Sequence, residues 1–234
     1  MLLEGFPAQL AGTNCYVVAP GPGEQCVVVD PGYGVGPQLT DLLTRHRLHP
    51  VAVLLTHGHL DHTFSVVPVC EAAGVPAYLH PADRSMVTDP WSSMGLPFGA
   101  PLFGVEGLTF AEPDDLRPLA DGQAVELAGL TVTVTGAPGH TGGSVVFGLD
   151  EATTGDAPAL LAGDVLFAGS IGRTDLPGGS SADMLATLRD VVLPLPDATV
   201  VHPGHGPATT IARERAINPY LQGLPAAQPA DGRR

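Results

Sequence analysis

One short segment of the chain concentrates side chains that bind metal ions. The sequence THGHLDH contains His57, His59, Asp61 and His62. His57 and His59 are two residues apart, a spacing that faces opposite sides of a helix but lets side chains converge in an extended or looped segment. Gly58 between them leaves the backbone free to bend. We therefore predict a loop that carries a metal site.

Three further metal-binding side chains each follow a predicted strand. His140 comes after LTVTVT, Asp164 after ALLAG, and His205 after TVVHPG. Ligand sites in open α/β sheets lie beyond the carboxyl ends of strands, so we expect these segments and THGHLDH to meet at one edge. Zinc takes about four protein ligands, so seven ligands predict two ions. Asp164 is the natural bridge because a carboxylate has two oxygens.

The types of ligand restrict the metal. Imidazole and carboxylate suit borderline ions such as zinc, iron, manganese or cobalt, and no thiolate lies nearby to favour a softer ion. Two divalent ions are expected, with zinc as the default and iron or manganese as alternatives. Asp30 ends the apolar run QCVVVD and is a candidate acceptor for the free N–H of a metal-bound histidine. Alternatively, Asp30 satisfies the backbone of the Pro31-Gly32 turn.

Hydrophobic periodicity predicts the elements that position these residues. Short β-branched runs predict strands, and leucines at helical spacing predict helices. Strands are expected at 25–30, 51–55, 77–79, 124–127, 130–135, 144–148, 159–161 and 198–201, and helices at 37–46, 64–73, 183–192 and 210–216. The stretch 81–118 is rich in proline and of low regularity. Two sheet-plus-helix halves indicate an α+β protein, a four-layer αββα sandwich. We expect one domain over 1–222 and a disordered tail over 223–234.

Composition excludes several classes of function. All 10 basic residues are arginine, which excludes Schiff-base and P-loop lysine chemistry. The formal net charge of −14 opposes nucleic-acid binding. The 3 cysteines form no CxxC pair, and neither a basic leader nor an apolar run of membrane-spanning length is seen. A cytoplasmic protein that binds neither nucleic acid nor membrane is expected.

Four segments resemble a known family. THGHLDH, PGHTGGS, AGDVLFAGSIGRTDLPGG and VHPGHGPATT closely resemble the glyoxalase II-like (hydroxyacylglutathione hydrolase-like) branch of the metallo-β-lactamase superfamily, over about residues 26–220. The resemblance implies the metallo-β-lactamase fold. It also implies that a metal-bridging hydroxide hydrolyses a small-molecule thioester to an acid and a free thiol. The chain ends soon after its last ligand, so we expect a short form that lacks the C-terminal helical domain of glyoxalase II.

The resemblance also implies a role for each ligand. His57, His59 and His140 would hold the first metal, and Asp61, His62 and His205 the second. Asp164 would bridge the two ions, and Asp61 and Asp164 would be the catalytic residues. Physical chemistry agrees, because two adjacent cations lower the pKa of a shared water and polarise the substrate carbonyl.

Alternative functions remain open. Persulfide dioxygenases share the fold and a similar GRTD segment but hold one iron by two histidines and an aspartate. A lactonase would use the same hydroxide on a cyclic ester. The complete second ligand set favours hydrolysis, and Asp164 at the bridging position disfavours β-lactam cleavage. Arg173 and Asp175 are expected to pair and hold a substrate-side loop. No oligomeric state is predicted.

Overall fold

The computed structural model describes residues 1–102 and 107–224. Over these ranges the chain forms two six-stranded sheets and a two-stranded ribbon. The first sheet contains β1 (Leu2–Pro7), β2 (Asn14–Ala19), β3 (Gln25–Val29), β4 (His49–Leu54), β5 (Ala77–Leu79) and β6 (Leu116–Pro118). The second begins with β7 (Ala124–Leu127), β8 (Leu130–Gly136), β9 (Val145–Leu149) and β10 (Ala159–Gly163). The ribbon, β11 (Leu166–Phe167) and β12 (Ser170–Ile171), precedes β13 (Val200–Pro203) and β14 (Thr209–Thr210), which rejoin the second sheet.

Each sheet mixes parallel and antiparallel pairs. The first has the order β1-β2-β3-β4-β5-β6, in which β1 to β3 are antiparallel and β3 to β6 are parallel. The second has the order β14-β13-β10-β9-β8-β7, and its parallel pair is β10 with β13. Parallel neighbours end at the same sheet edge, so β10 and β13 can deliver residues to a common site, whereas β4 belongs to the first sheet.

The helices are short and begin and end at recognisable signals. They are α1 (Gly36–His46), α2 (Leu60–Thr63), α3 (Val66–Ala73), α4 (Arg84–Thr88), α5 (Pro90–Ser93), α6 (Glu151–Thr154), α7 (Ser181–Thr187) and α8 (Ile211–Ile217). A 3₁₀ turn at Pro81–Asp83 precedes α4, and a π-helix at Leu188–Val192 continues α7. The Thr210 side chain caps α8 by accepting from the backbone N–H of Arg213 at 3.2 Å, as its sequence predicts.

Three clusters of buried side chains define the layers. One cluster joins the facing surfaces of both sheets and includes Val27 and Leu54 from the first and Val132 and Phe147 from the second. A second lies between the first sheet and helices α1 and α3, and a third between the second sheet and the α7 and α8 segments. Helix, sheet, sheet and helix therefore stack in order. The predicted αββα sandwich, the metallo-β-lactamase fold, is confirmed.

Several local expectations need correction. β1 was not predicted, and the stretch 81–118 contains α4, α5 and β6 instead of lacking regular structure. A small cluster of Leu60, Trp91 and Leu102 orders part of that stretch, because large apolar side chains are buried there. Leu224 packs against the third cluster. Residues 225–234 of the predicted tail lie outside the described residues, so the predicted domain boundary at 222 stays a prediction. No helix in the described ranges is long and apolar enough to cross a membrane.

Candidate metal centre

Four strands deliver the predicted ligands to one place. THGHLDH follows β4, His140 follows β8, Asp164 follows β10 and His205 follows β13. The loop prediction holds for His57 to His59, but it is wrong for Asp61 and His62, which lie on α2. His59 has the extended conformation of a residue preceding a helix, with φ −63° and ψ 142°. The chain turns into α2 there, which places Asp61 and His62 in the helix.

Six of the seven side chains form two groups of three, and a third group, of His57, His62 and Asp164, connects them. In the first triad (His57, His59 and His140) and in the second triad (Asp61, His62 and His205), candidate ligand atoms lie within 4.8 Å of one another. Nδ1 of His59 lies 2.8 Å from Nε2 of His140. Nε2 of His205 lies 3.1 Å from Oδ2 of Asp61. These close approaches bring the ligand atoms of each triad toward a shared point.

Asp164 lies between the triads. Its Oδ1 is 3.3 Å from Nε2 of His62, and its Oδ2 is 3.5 Å from Nε2 of both His140 and His205. One carboxylate therefore faces the first triad and the second at once. This is the position that a bridging ligand requires.

The donor atoms of the site fit divalent cations. Nε2 of His57, His59 and His62 and Oδ1 of Asp164 are buried and have no hydrogen-bond partner in the part of the chain that the structure describes. A buried polar atom without a partner costs free energy, so such atoms are rare in folded proteins. Cations held by the triads would satisfy Nε2 of His57 and His62 and Oδ1 of Asp164. The site is a metal-binding cluster of histidine and aspartate.

Four of the histidines are oriented by hydrogen bonds from Nδ1. His57 Nδ1 donates to Thr56 Oγ1 at 3.1 Å, and His62 Nδ1 to Asp30 Oδ2 at 2.9 Å. His140 Nδ1 donates to the carbonyl of Arg173 at 2.7 Å, and His205 Nδ1 to that of Ala11 at 3.2 Å. Fixing the proton on Nδ1 leaves Nε2 unprotonated for a metal ion, as is usual for histidine ligands.

Asp30 supports the second triad. It is buried and accepts from Thr56 twice, from the backbone N–H at 2.8 Å and from the hydroxyl at 2.6 Å. Together with the bond to His62, these contacts favour the role of orienting a ligand over that of satisfying the turn after β3. Asp30 also has a positive φ of 50°, a conformation that non-glycine residues adopt rarely.

Electrostatics differ between the triads. Burial alone would lower the pKa of His62, but Asp61, Asp164 and Asp30 surround it and raise that pKa well above its ordinary value. Burial would raise the pKa of Asp61, but His62, together with hydrogen bonds from His205 and Thr13, holds it below its ordinary range. In the first triad, burial and the neighbouring His140 lower the pKa of His59 to about 4. Burial and the other histidines likewise lower the pKa of His57.

Two threonines at the site were not predicted from the sequence. Thr13 is buried, and its hydroxyl donates to Asp61 Oδ2 at 2.8 Å. Thr56 lies between Asp30 and His57. Its position directly before THGHLDH is a signal that could have identified it. Thr13 has no such signal, because only the fold brings the start of β2 to α2.

Arg173 and Asp175 form the predicted pair, with Arg173 Nε donating to Asp175 Oδ1 at 2.7 Å. Both side chains are exposed, whereas the backbone of Arg173 contacts His140. The contact that reaches the site therefore comes from the main chain of this segment. Three other histidines are engaged elsewhere: His46 pairs with Glu4, His80 caps the 3₁₀ turn, and His202 packs edge-on against a tyrosine ring.

Solvent reaches the site from one side. The side chains of His57 and His62 are buried, whereas Asp61 and His205 are 23% and 27% exposed. A substrate would therefore approach the centre across the second triad.

Comparisons with known proteins agree with this geometry. The model of the metallo-β-lactamase superfamily matches residues 9–205. Uncharacterized protein Rv2581c of Mycobacterium tuberculosis is 50% identical over 225 residues, 96% of this chain and 99% of that protein. A probable metallo-hydrolase of Bacillus subtilis, YqgX, is 36% identical over 86% of this chain and 89% of its own. Hydroxyacylglutathione hydrolase GloC of Haemophilus influenzae is 31% identical over 94% of this chain and 98% of its own.

Two solved structures are similar over nearly their whole length. The B3 metallo-β-lactamase BLEG-1 has a TM-score of 0.82 and 37% identity, covering 95% of this chain and 100% of that one. TTHA1623 in a di-iron-bound form has a TM-score of 0.74 and 36% identity, covering 93% and 100%. With the family model matching most of the chain and the ligand triads assembled by the fold, this chain belongs to the metallo-β-lactamase superfamily.

Proposed function

We propose that this chain hydrolyses thioesters with two divalent ions, one held by each triad and both contacted by Asp164. The observation that carries the proposal is the division of seven ligand side chains into two triads around one carboxylate. A single ion of ordinary coordination number would leave several of these buried groups unpaired. The centre is therefore expected to be binuclear.

Thioester hydrolysis is the activity best supported for such a centre here. The relative from Haemophilus influenzae is named a hydroxyacylglutathione hydrolase and aligns over 98% of its length. Bound ions would activate a water molecule and polarise the substrate carbonyl. A thiolate leaves readily, so the reaction does not demand a strong general acid from the protein.

The chain's own residues have distinct tasks in this reaction. Asp61 faces the open side of the site and can accept a hydrogen bond from the attacking water, while Thr13 fixes its Oδ2. Asp30 and Thr56 orient His62 and His57. The buried histidines close the floor of the site, so the substrate carbonyl enters from the side of Asp61 and His205.

The native metal is proposed as zinc, with iron and manganese as alternatives. Histidine and carboxylate ligands accept all three ions. The similar structure TTHA1623 contains two irons, so iron must be measured alongside zinc. Metal analysis of protein purified without added metal would identify the ion.

The proposal is tested by assaying reconstituted protein for thiol release from S-lactoylglutathione and from a thioester of an unrelated thiol. A lactone, a cephalosporin and glutathione persulfide complete the panel, since the similarity to a B3 metallo-β-lactamase makes the β-lactam a necessary comparison. Asp164→Ala should lower thioester turnover by several orders of magnitude. His46→Ala, which changes a surface histidine paired with Glu4, should leave it unchanged.

Two results would contradict the proposal. A single iron in active protein, with no second ion bound on titration, would favour persulfide oxidation. Rapid turnover of the lactone or the cephalosporin, with thioesters untouched, would assign the same centre to a different hydrolysis.

A further inference from the structure

Asp83 is a fully buried carboxylate at the end of the 3₁₀ turn that follows β5. Its Oδ2 accepts from the backbone N–H of Gly58 at 2.9 Å and from the hydroxyl of Thr141 at 2.6 Å. Its Oδ1 accepts from the backbone N–H of Gly143 at 2.8 Å. Within residues 1–102 and 107–224, no arginine or histidine forms an ion pair with it. A buried carboxylate is costly unless hydrogen bonds satisfy it, so three donors at this place indicate a specific role.

The three donors belong to the two loops that carry the first triad. Gly58 lies between His57 and His59, and Thr141 and Gly143 follow His140. The two loops come from opposite halves of the sandwich, after β4 and β8 respectively. Asp83 therefore joins them through one side chain. Among the described residues, the Asp83 side chain makes no hydrogen bond to a member of the second triad.

The fit around Asp83 is tight on both sides. A Cβ added at Gly58 would lie 2.7 Å from the Asp83 carbonyl oxygen, and one added at Gly143 would lie 2.6 Å from its Oδ1. Real Cβ atoms do not approach so closely, so both loops need glycine where they touch Asp83. The adjacent Gly142 has no atom within 4 Å of an added Cβ. Close packing is thus confined to the two glycines that donate to the carboxylate.

We propose that Asp83 is a positioning residue that sets the distance between the His57–His59 loop and His140, and thereby the affinity of the first triad for its ion. The inference rests on the metal centre and not on the identity of the substrate. Asparagine at this position would replace one acceptor oxygen with an N–H donor. The amide nitrogen would face the N–H of Gly58 if it replaced Oδ2, or the N–H of Gly143 if it replaced Oδ1, and the bond to that N–H would be lost.

The test isolates each triad and measures metal affinity instead of activity. In a His205→Ala background the second triad is incomplete, and metal-free protein is titrated with Zn²⁺ against a chromophoric chelator. Asp83→Asn and Gly143→Ala should each weaken this binding by about 10- to 100-fold, the usual effect of removing a group that orients a ligand. The neighbouring Gly142→Ala is the matched control and should leave the affinity unchanged.

The proposal predicts almost no loss of affinity at the second triad, whereas a purely structural role of Asp83 would weaken both sites alike. In a His140→Ala background, which keeps the second triad, Asp83→Asn should alter Zn²⁺ affinity by less than about 3-fold, well below the effect of removing an orienting group. Equal losses in both backgrounds would overturn the proposal, as would unchanged affinity in the His205→Ala background. Absence of any Zn²⁺ binding by His205→Ala itself would refute the first metal site and the proposal with it. Loss of thioesterase activity alone has no bearing on either result.

Discussion

The opposite electrostatics of the two triads predict that acid removes the second ion before the first. His62 and His205 both have a raised pKa in the metal-free protein, because the carboxylates around them outweigh the effect of burial. Because its pKa is raised well above the ordinary value, His62 holds a proton near neutral pH that a metal ion must displace. Below a raised pKa, each unit fall in pH costs about tenfold in apparent affinity for each displaced proton.

Two histidines of the first triad respond in a different pH range. His57 and His59 have lowered pKa values, about 4 for His59, so both are unprotonated between pH 7 and pH 5. Protonation of these two histidines therefore does not lower the affinity for the first ion between pH 7 and pH 5. Displacing the proton of His62 weakens binding of the second ion by about 10²-fold over the same two pH units. The protein should therefore pass through a state with one ion per chain.

The number of ions per chain is measured by equilibrium dialysis followed by metal analysis. The dialysis uses a fixed free Zn²⁺ concentration at steps from pH 7 to pH 5. The His140→Ala variant, which keeps the second triad, should lose its ion at the higher pH, and His205→Ala should retain its ion to the lower pH. Loss of both ions in one step, or earlier loss from His205→Ala, would refute the reasoning.

Three further predictions concern single residues. Asp30→Asn should lower the affinity for the second ion by about 10- to 100-fold, because it disturbs the hydrogen bonds to His62 and Thr56. Zn²⁺ titration would detect this loss of affinity. Gly204→Ala should abolish tight metal binding, since its Cβ would lie 2.2 Å from Asp164 Oδ1, whereas Gly21→Ala, with nothing within 4 Å, should bind normally. Phe147→Ala should lower the free energy of unfolding by about 3–5 kcal/mol, because it empties a fully buried position between the sheets. Urea unfolding at fixed metal content measures the effect of Phe147→Ala on the free energy of unfolding. A change below about 1 kcal/mol would show that neighbouring core side chains fill the cavity left by the ring.

Much of the fold could be predicted because its signals are local. The alternation in LTVTVT places Leu130, Val132 and Val134 on the buried face of β8, as a strand with one covered side requires. The ligands were found for a related reason. Each ligand segment follows an apolar strand, so the sequence pattern placed the ligands near strand ends.

Predictions failed where a segment depends on distant partners. The stretch 81–118 has little periodicity, and its helices are stabilised by packing of Trp91 and Leu102 with Leu60. Helix α2 begins immediately after His59, although the glycine in THGHLDH suggested a loop. The sequence did not predict this helix because its four residues carry too weak a periodic signal.

The sequence by itself determined which side chains could bind metal and which strands carry them, since both follow from residue type and short-range pattern. Only the tertiary structure decided how those side chains are divided and held. Thr13 meets Asp61, and Asp83 meets Gly58 and Gly143, across separations in the chain that no local pattern encodes. The opposite pKa shifts of His59 and His62 likewise arise from neighbours that the fold supplies. Hydrogen bonds and charge interactions act over a few ångströms of space, so their partners are fixed only when the two halves of the sandwich pack together.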